Sequence, residues 1–194
     1  MWPARSAIRP VPAHAVVPRV AVEQVEVELD EADDLDARIE MALRELDLAQ
    51  PTLGAWLRGE LDGVTDDTAL ALGQFLGVAV HRAFAEAFGQ RLRRVEEMVL
   101  ASTRATFDYD EELRRGAADE MLESDDLVAI GQPHVMAFVR EQVEAALEPD
   151  EDGDPPDVDL EAVAGVYKTV MIEILSLGQA VAPPRGTLST GILM

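Results

Sequence analysis

Apolar positions recur at helical spacing along most of the chain. Leu35, Ile39, Leu43 and Leu46 share one face, so a first helix is predicted over 35–47. Pro51 suits the first turn of a second helix, where its missing N–H leaves nothing unsatisfied. Leu53, Trp56, Leu57 and Leu61 carry that helix toward Gly63. Thr65 to Asp67 offer caps for a third, predicted over 68–89. Its Leu72, Leu76, Val80, Phe84 and Phe88 form a stripe widened by Phe75, Val78 and Ala79. A helix apolar over so much of its circumference belongs at the centre of a bundle. Gly73 and Gly77 lie one turn apart in it, each costing about 1 kcal/mol against Ala, and close approach of a neighbouring helix is the expected compensation. Leu92, Val95, Met98 and Val99 predict a further helix to about Phe107, with a shorter polar one over 108–123.

Upstream, the period changes. Gln24-Val25-Glu26-Val27-Glu28-Leu29 alternates polar and apolar, the pattern of a half-buried strand. Residues 1–19 are rich in Pro and lack acidic residues, so 1–29 reads as an extended N-terminal arm. The acidic run Asp30–Asp36 then supplies Asp33 or Asp34 as a helix N-cap.

The second half repeats the first. Gln50-Pro51 returns as Gln132-Pro133, Trp56 as Phe138, Leu57 as Val139 and Arg58 as Arg140, at a constant offset of 82 (132 − 50). Val163, Val166, Val170, Ile174 and Leu175 then copy the central stripe at an offset of 91 (163 − 72), which implies about nine extra residues in the acidic loop between. The predicted fold is an all-α bundle of two pseudo-repeated helical hairpins, with halves at about 49–91 and 131–181 inside a helical domain at 30–182, and a short tail at 183–194. Helices 68–89 and 160–179 are expected to pack centrally.

Composition narrows the function. The formal charge is 16 − 38 = −22, which disfavours nucleic acid and anionic membrane as partners and favours a protein partner, a second copy of the chain among them. No cysteine is present, so thiolate chemistry and Cys-based metal sites are excluded. The apolar stretch near the N-terminus is broken by Pro10, Pro12, Pro18 and Arg19, and no run of apolar residues reaches the length of a membrane span, so a cytoplasmic protein without membrane insertion is expected.

Candidate chemistry is thin. His14, His81 and His134 have Val11, Val78 and Gly131 three residues before them, so the Glu-x-x-His pairs of a di-iron bundle are missing. His81 reads as a partly buried packing residue and His134 as a first-turn residue. A calcium loop started at Asp150 would need Gly where Pro155 stands, although Glu161 occupies its last position. No phosphate loop or nucleophile elbow appears. The expectation is therefore no cofactor, no metal and no catalytic residues, with a non-enzymatic interaction or scaffold module as the reading.

Two resemblances point elsewhere. The stretch Gln50-Pro51-Thr52-Leu53-Gly54-Ala55-Trp56-Leu57-Arg58-Gly59-Glu60, with Leu76-Gly77-Val78 after it, resembles the recognition-helix region of phage-repressor-type helix-turn-helix regulators. That resemblance implies that Gln50, Thr52 and Arg58 face DNA, against the local acids Glu45, Asp47, Glu60, Asp62, Asp66 and Asp67. The tail Thr187-Leu188-Ser189-Thr190-Gly191-Ile192-Leu193-Met194, behind a Pro/Gly linker, resembles the cargo-loading peptides of encapsulin nanocompartments. It implies that Leu188, Gly191, Ile192 and Leu193 dock inside a shell.

Overall fold

The computed structural model describes residues 8–115, 124–149 and 158–184. It is all-α, with eight helices among the described residues: α1 (Arg19–Asp30), α2 (Leu35–Ala49), α3 (Pro51–Leu61), α4 (Asp67–Phe88), α5 (Glu97–Arg115), α6 (Ser124–Gly131), α7 (Pro133–Ala146) and α8 (Leu160–Ala180). The C-terminal segment 185–194 lies outside the described residues.

The centre is α4 packed on α8, the most extensive helix pair in the fold. Both are apolar around most of their circumference, from Leu72 to Phe88 and from Val163 to Val181, so each must be covered on several sides. They run in the same direction. At their starts the Asp159 N–H donates to Asp66 Oδ2 at 3.0 Å, and at their ends the Arg93 N–H donates to the Ala180 carbonyl at 3.1 Å. Helix α3 lies over the seam: Leu61 covers Gly73 and Leu57 covers Gly77, where an added Cβ would sit 2.6 and 2.5 Å from leucine methyls. The helix-weakening glycines thus give α3 its close approach. Phe84, Phe107, Leu46, Leu53, Leu127, Met136 and Leu177 complete a single core.

The predicted strand over 24–29 is a helix. Alternation at Val25, Val27 and Leu29 suggested a pleat, but α1 buries Ala21, Val22, Val25 and Leu29, a helical face, and leaves Val20 and Val27 exposed. No strand is present among the described residues to pair with such a segment, and the helix satisfies its own backbone. The arm before it is packed and carries a short 3-10 turn at Ala13–Ala15: Ile8, Val11, Ala15 and Val17 are buried, with Val11 lodged against Gly131 and Gly178. The predicted break near Phe107 is also absent. Helix α5 runs unbroken through Tyr109, and Asp110 on its inner face is fully buried.

Pro51 and Pro133 open α3 and α7, 82 residues apart (133 − 51), and the Asp66 and Asp159 side chains cap α4 and α8, 93 residues apart (159 − 66). The stretch Asp67–Arg91 meets the length and composition of a membrane span, and 56% of its most apolar window is buried inside the bundle.

Candidate functional site

Gln50 is the single residue between α2 and α3, and Gln132 the single residue between α6 and α7. A following proline keeps each out of the helical region, at φ −132°, ψ 65° and φ −138°, ψ 63°. The chain breaks at the same angle in both places. Each glutamine is buried, and each uses both ends of its amide on an extended segment far away in sequence. Gln50 Oε1 accepts from the Val95 N–H at 2.8 Å while Nε2 donates to the Arg93 carbonyl at 2.9 Å. Gln132 Oε1 accepts from the Val17 N–H at 2.9 Å while Nε2 donates to the Ala15 carbonyl at 2.6 Å. Each clamp supplies partners for a backbone amide and carbonyl that no strand serves; Val17, Ala15 and Val95 are buried and Arg93 is exposed.

The clamped segments lead directly into α5 and α1, so each clamp lays a helix beside the one its glutamine precedes. Two grooves result. The first, of about 530 Å³, lies between α3 and α5 and is lined by Thr52, Ala55, Trp56, Glu97, Leu100, Ala101 and Arg104. The second, of about 320 Å³, lies between α7 and α1 and is lined by His134, Ala137, Phe138, Arg19, Val22, Glu23 and Glu26, with Glu141 beside them. The linings correspond position by position: an offset of 82 relates Thr52, Ala55 and Trp56 to His134, Ala137 and Phe138. An offset of 78 relates Arg19, Val22, Glu23 and Glu26 to Glu97, Leu100, Ala101 and Arg104. Trp56 is half-buried at its groove; Phe138 is more deeply set.

Of the residues singled out in the sequence, Trp56 lines the first groove and Phe138 the second, whereas Gln50 with Pro51 and Gln132 with Pro133 form the helix junctions that precede those walls. Leu188, Gly191, Ile192 and Leu193 lie outside the described residues. Of the residues the regulator resemblance implies, Gln50 is buried in its clamp, Thr52 is half-buried at the first groove and Arg58 is ion-paired with Asp47. Of the calcium-loop positions, Asp150 and Pro155 lie outside the described residues, and Glu161 sits in the first turn of α8. No cluster of three metal-capable side chains occurs among the described residues.

Seven arginines are ion-paired among the described residues. Arg82 bridges Glu28 and Glu45, with Arg38 joining Glu28. Arg104 meets Glu60 at 2.5 Å, and Arg140 meets Asp125 and Asp126 at 2.8 Å. The Tyr167 hydroxyl donates to Asp125 at 3.1 Å, and burial beside that carboxylate pushes the phenol up to about 12. His81 is buried on α4, and burial with Arg82 beside it pulls its imidazole down to about 4, so it is neutral.

Sequence reasoning missed Glu173. This residue is fully buried in α8, with neither carboxylate oxygen hydrogen-bonded among the described residues. Burial alone holds its proton affinity well above the ordinary carboxylate range. A Cβ on Gly77 would sit 3.5 Å from its Oε2, and the Ser176 hydroxyl one turn on is likewise unpartnered. The signal was available: a lone acid inside Val170-Met171-Ile172-Glu173-Ile174-Leu175 cannot reach water if the helix is central. Glu23 and Glu26 were also missed because α1 read as an extended arm and strand, and Glu141 because no helix was then expected opposite it.

No family model, no curated protein and no solved structure matches this chain.

Proposed function

We propose that this chain is a non-enzymatic protein-interaction module, built by internal duplication of a four-helix unit whose two copies clamp each other. In this reading α1–α4 and α5–α8 are the copies, and the groove each pair builds is the surface it offers. The observation that carries the reading is the correspondence of the two groove linings at seven positions. Core positions match in any repeat because packing constrains them. A surface concavity kept in both copies, each with an aromatic residue at its centre, is the shape that helix-in-groove recognition uses. Exposed Met98 next to the first groove and exposed Val27 beyond the second extend the apolar surface on offer.

The test is affinity purification of the full chain and of two variants, Ala55→Arg and Ala137→Arg. Each places a long cation in one groove at an exposed position. The reading predicts a stoichiometric partner, or a self-associated species in sedimentation, that is lost in at least one variant while circular dichroism and melting stay unchanged. A partner retained equally by both variants, or a clean monomer with no partner, refutes it.

A further inference from the structure

Resting on that reading, we propose that the groove between α1 and α7 receives a basic amphipathic helix from another protein, its apolar face on Phe138 and Phe75 and its cations between Glu23, Glu26, Asp30 and Glu141. The two grooves share a shape and differ in chemistry. Where the α3–α5 groove has Ala101 and Arg104, the α1–α7 groove has Glu23 and Glu26. Where α3 has Gly59, α7 has Glu141 (141 − 59 = 82).

The aromatic floor continues beyond Phe138. The Phe75 ring lies 6.1 Å from it at a 37° tilt, and a second hollow of about 430 Å³ runs on past Val27 and Leu29 to Asp30 and Gln142. Together they form one trough alongside α1. Glu23 and Asp30 are seven residues apart on α1, so the rim acids span two turns, about 10 Å. That length matches cations placed at i, i+3 or i+4, and i+7 on a docked helix.

Like charge gathers along this trough, where Glu23, Glu26 and Glu141 line both hollows and Asp30 the second. Several acids elsewhere are ion-paired: Glu28 and Glu45 with Arg82, Asp47 with Arg58, Glu60 with Arg104, Asp108 and Glu111 with Lys168. Glu26, Asp30 and Glu141 have no salt bridge among the described residues, and the one cation at the rim, exposed Arg19, is paired with Glu23. Partial burial, and then Glu141, Glu23 and Asp30 as like charges, raise the proton affinity of Glu26. An incoming cation removes that repulsion, and an apolar anchor covers the aromatic floor.

The experiment titrates three synthetic peptides into isotopically labelled full-length protein and follows backbone amide shifts. The first is an amphipathic helix of about 18 residues with Lys on one face and Leu on the other. The second keeps the Leu face with Glu in place of Lys, and the third keeps the charge in a Lys–Gly chain with no apolar face. The proposal predicts micromolar binding of the first, shifts confined to α1, α7 and the Phe75 turn of α4, and binding of the other two at least about tenfold weaker. Glu26→Lys with Glu141→Lys should weaken the first peptide at least about tenfold, and Trp56→Ala should leave it unchanged. Equal binding of the Lys–Gly chain, indifference to the charge reversal, or shifts centred on α3 and α5 overturns the assignment of partner while leaving the interaction reading standing. Failure of all three peptides overturns this proposal alone if Ala55→Arg or Ala137→Arg still releases a native partner, and both readings if neither does.

Discussion

Gln50 and Gln132 hold one another's halves. The first, ahead of α3, grips the segment leading into α5; the second, ahead of α7, grips the segment leading into α1. Gln132→Ala orphans a buried N–H and a buried carbonyl, and Gln50→Ala orphans the buried Val95 N–H and the more exposed Arg93 carbonyl, at about 1–3 kcal/mol for each buried unsatisfied group. The two clamps share no partner, so Gln132→Ala should destabilise by about 2–4 kcal/mol, Gln50→Ala by about 1–3 kcal/mol, and the two should add in the double variant. Urea denaturation checks this. A loss below about 0.5 kcal/mol would show that water replaces the amide.

Glu173 should make the protein less stable as pH rises. Folded and unfolded chains both hold its proton below the ordinary value of 4.5, but above it only the folded state keeps the proton, so unfolding releases one. Stability from this group is therefore full below pH 4.5 and falls by up to about 1.4 kcal/mol per pH unit until the folded carboxyl ionises. Glu173→Gln should flatten the slope. Glu173→Met should also remove an unsatisfied buried group and stabilise at pH 8 by ~1–3 kcal/mol. Melting temperatures at pH 5 and pH 8 for the three proteins decide it, and equal pH dependence in all of them would contradict the assignment.

His81 acts with the opposite sign. Its folded imidazole titrates near 4 and its unfolded one near 6.5, so between those values the unfolded chain binds the extra proton. Stability is present above pH 6.5 and lost as pH falls toward 4, by about 3 kcal/mol at most. His81→Leu should remove this component, so the difference between variant and parent should change across pH 4–6.5 and stay constant above it. Denaturant melts at half-unit pH steps measure that difference.

Asp66 serves two helices at once. Its carboxylate accepts from Ala69 N–H at 2.7 Å within α4 and from Asp159 N–H at the start of α8. Asp66→Ala should lower the melting temperature and loosen the starts of both central helices in hydrogen exchange, while Asp66→Asn, with a single acceptor oxygen, should keep the cap on α4 and loosen the start of α8. Loss of protection in α4 alone would assign the second bond no role.

The sequence made the bundle readable where apolar spacing was long and regular. Helices α2, α3, α4, α7 and α8 follow from their stripes, and α4 and α8 announce their central place by being apolar nearly all round. The misreading at α1 has a physical origin. Two valines and a leucine at alternating positions suit a pleat locally, and the helical face only emerges when Ala21 and Val22 are counted with Val25 and Leu29. That single error hid one wall of a groove whose other wall, Phe138, had been identified. Glu173 escaped because periodicity assigns acids to the solvent side, whereas a helix covered on all faces has no such side. The packed slot for Val11 was not legible either, since Gly131 and Gly178 come together only in the folded chain.

The reciprocal clamps also order events during synthesis. Val17 and Ala15 leave the ribosome long before Gln132, which lies 115 and 117 residues downstream. Until that glutamine emerges, the Val17 N–H and the Ala15 carbonyl lack their folded-state partner, although Arg91 can already reach the His14 carbonyl, and α1 has no α7 to flank. A nascent chain arrested before α7 should therefore carry an unanchored leading arm that protease removes, and one released after α7 has cleared the exit tunnel should not.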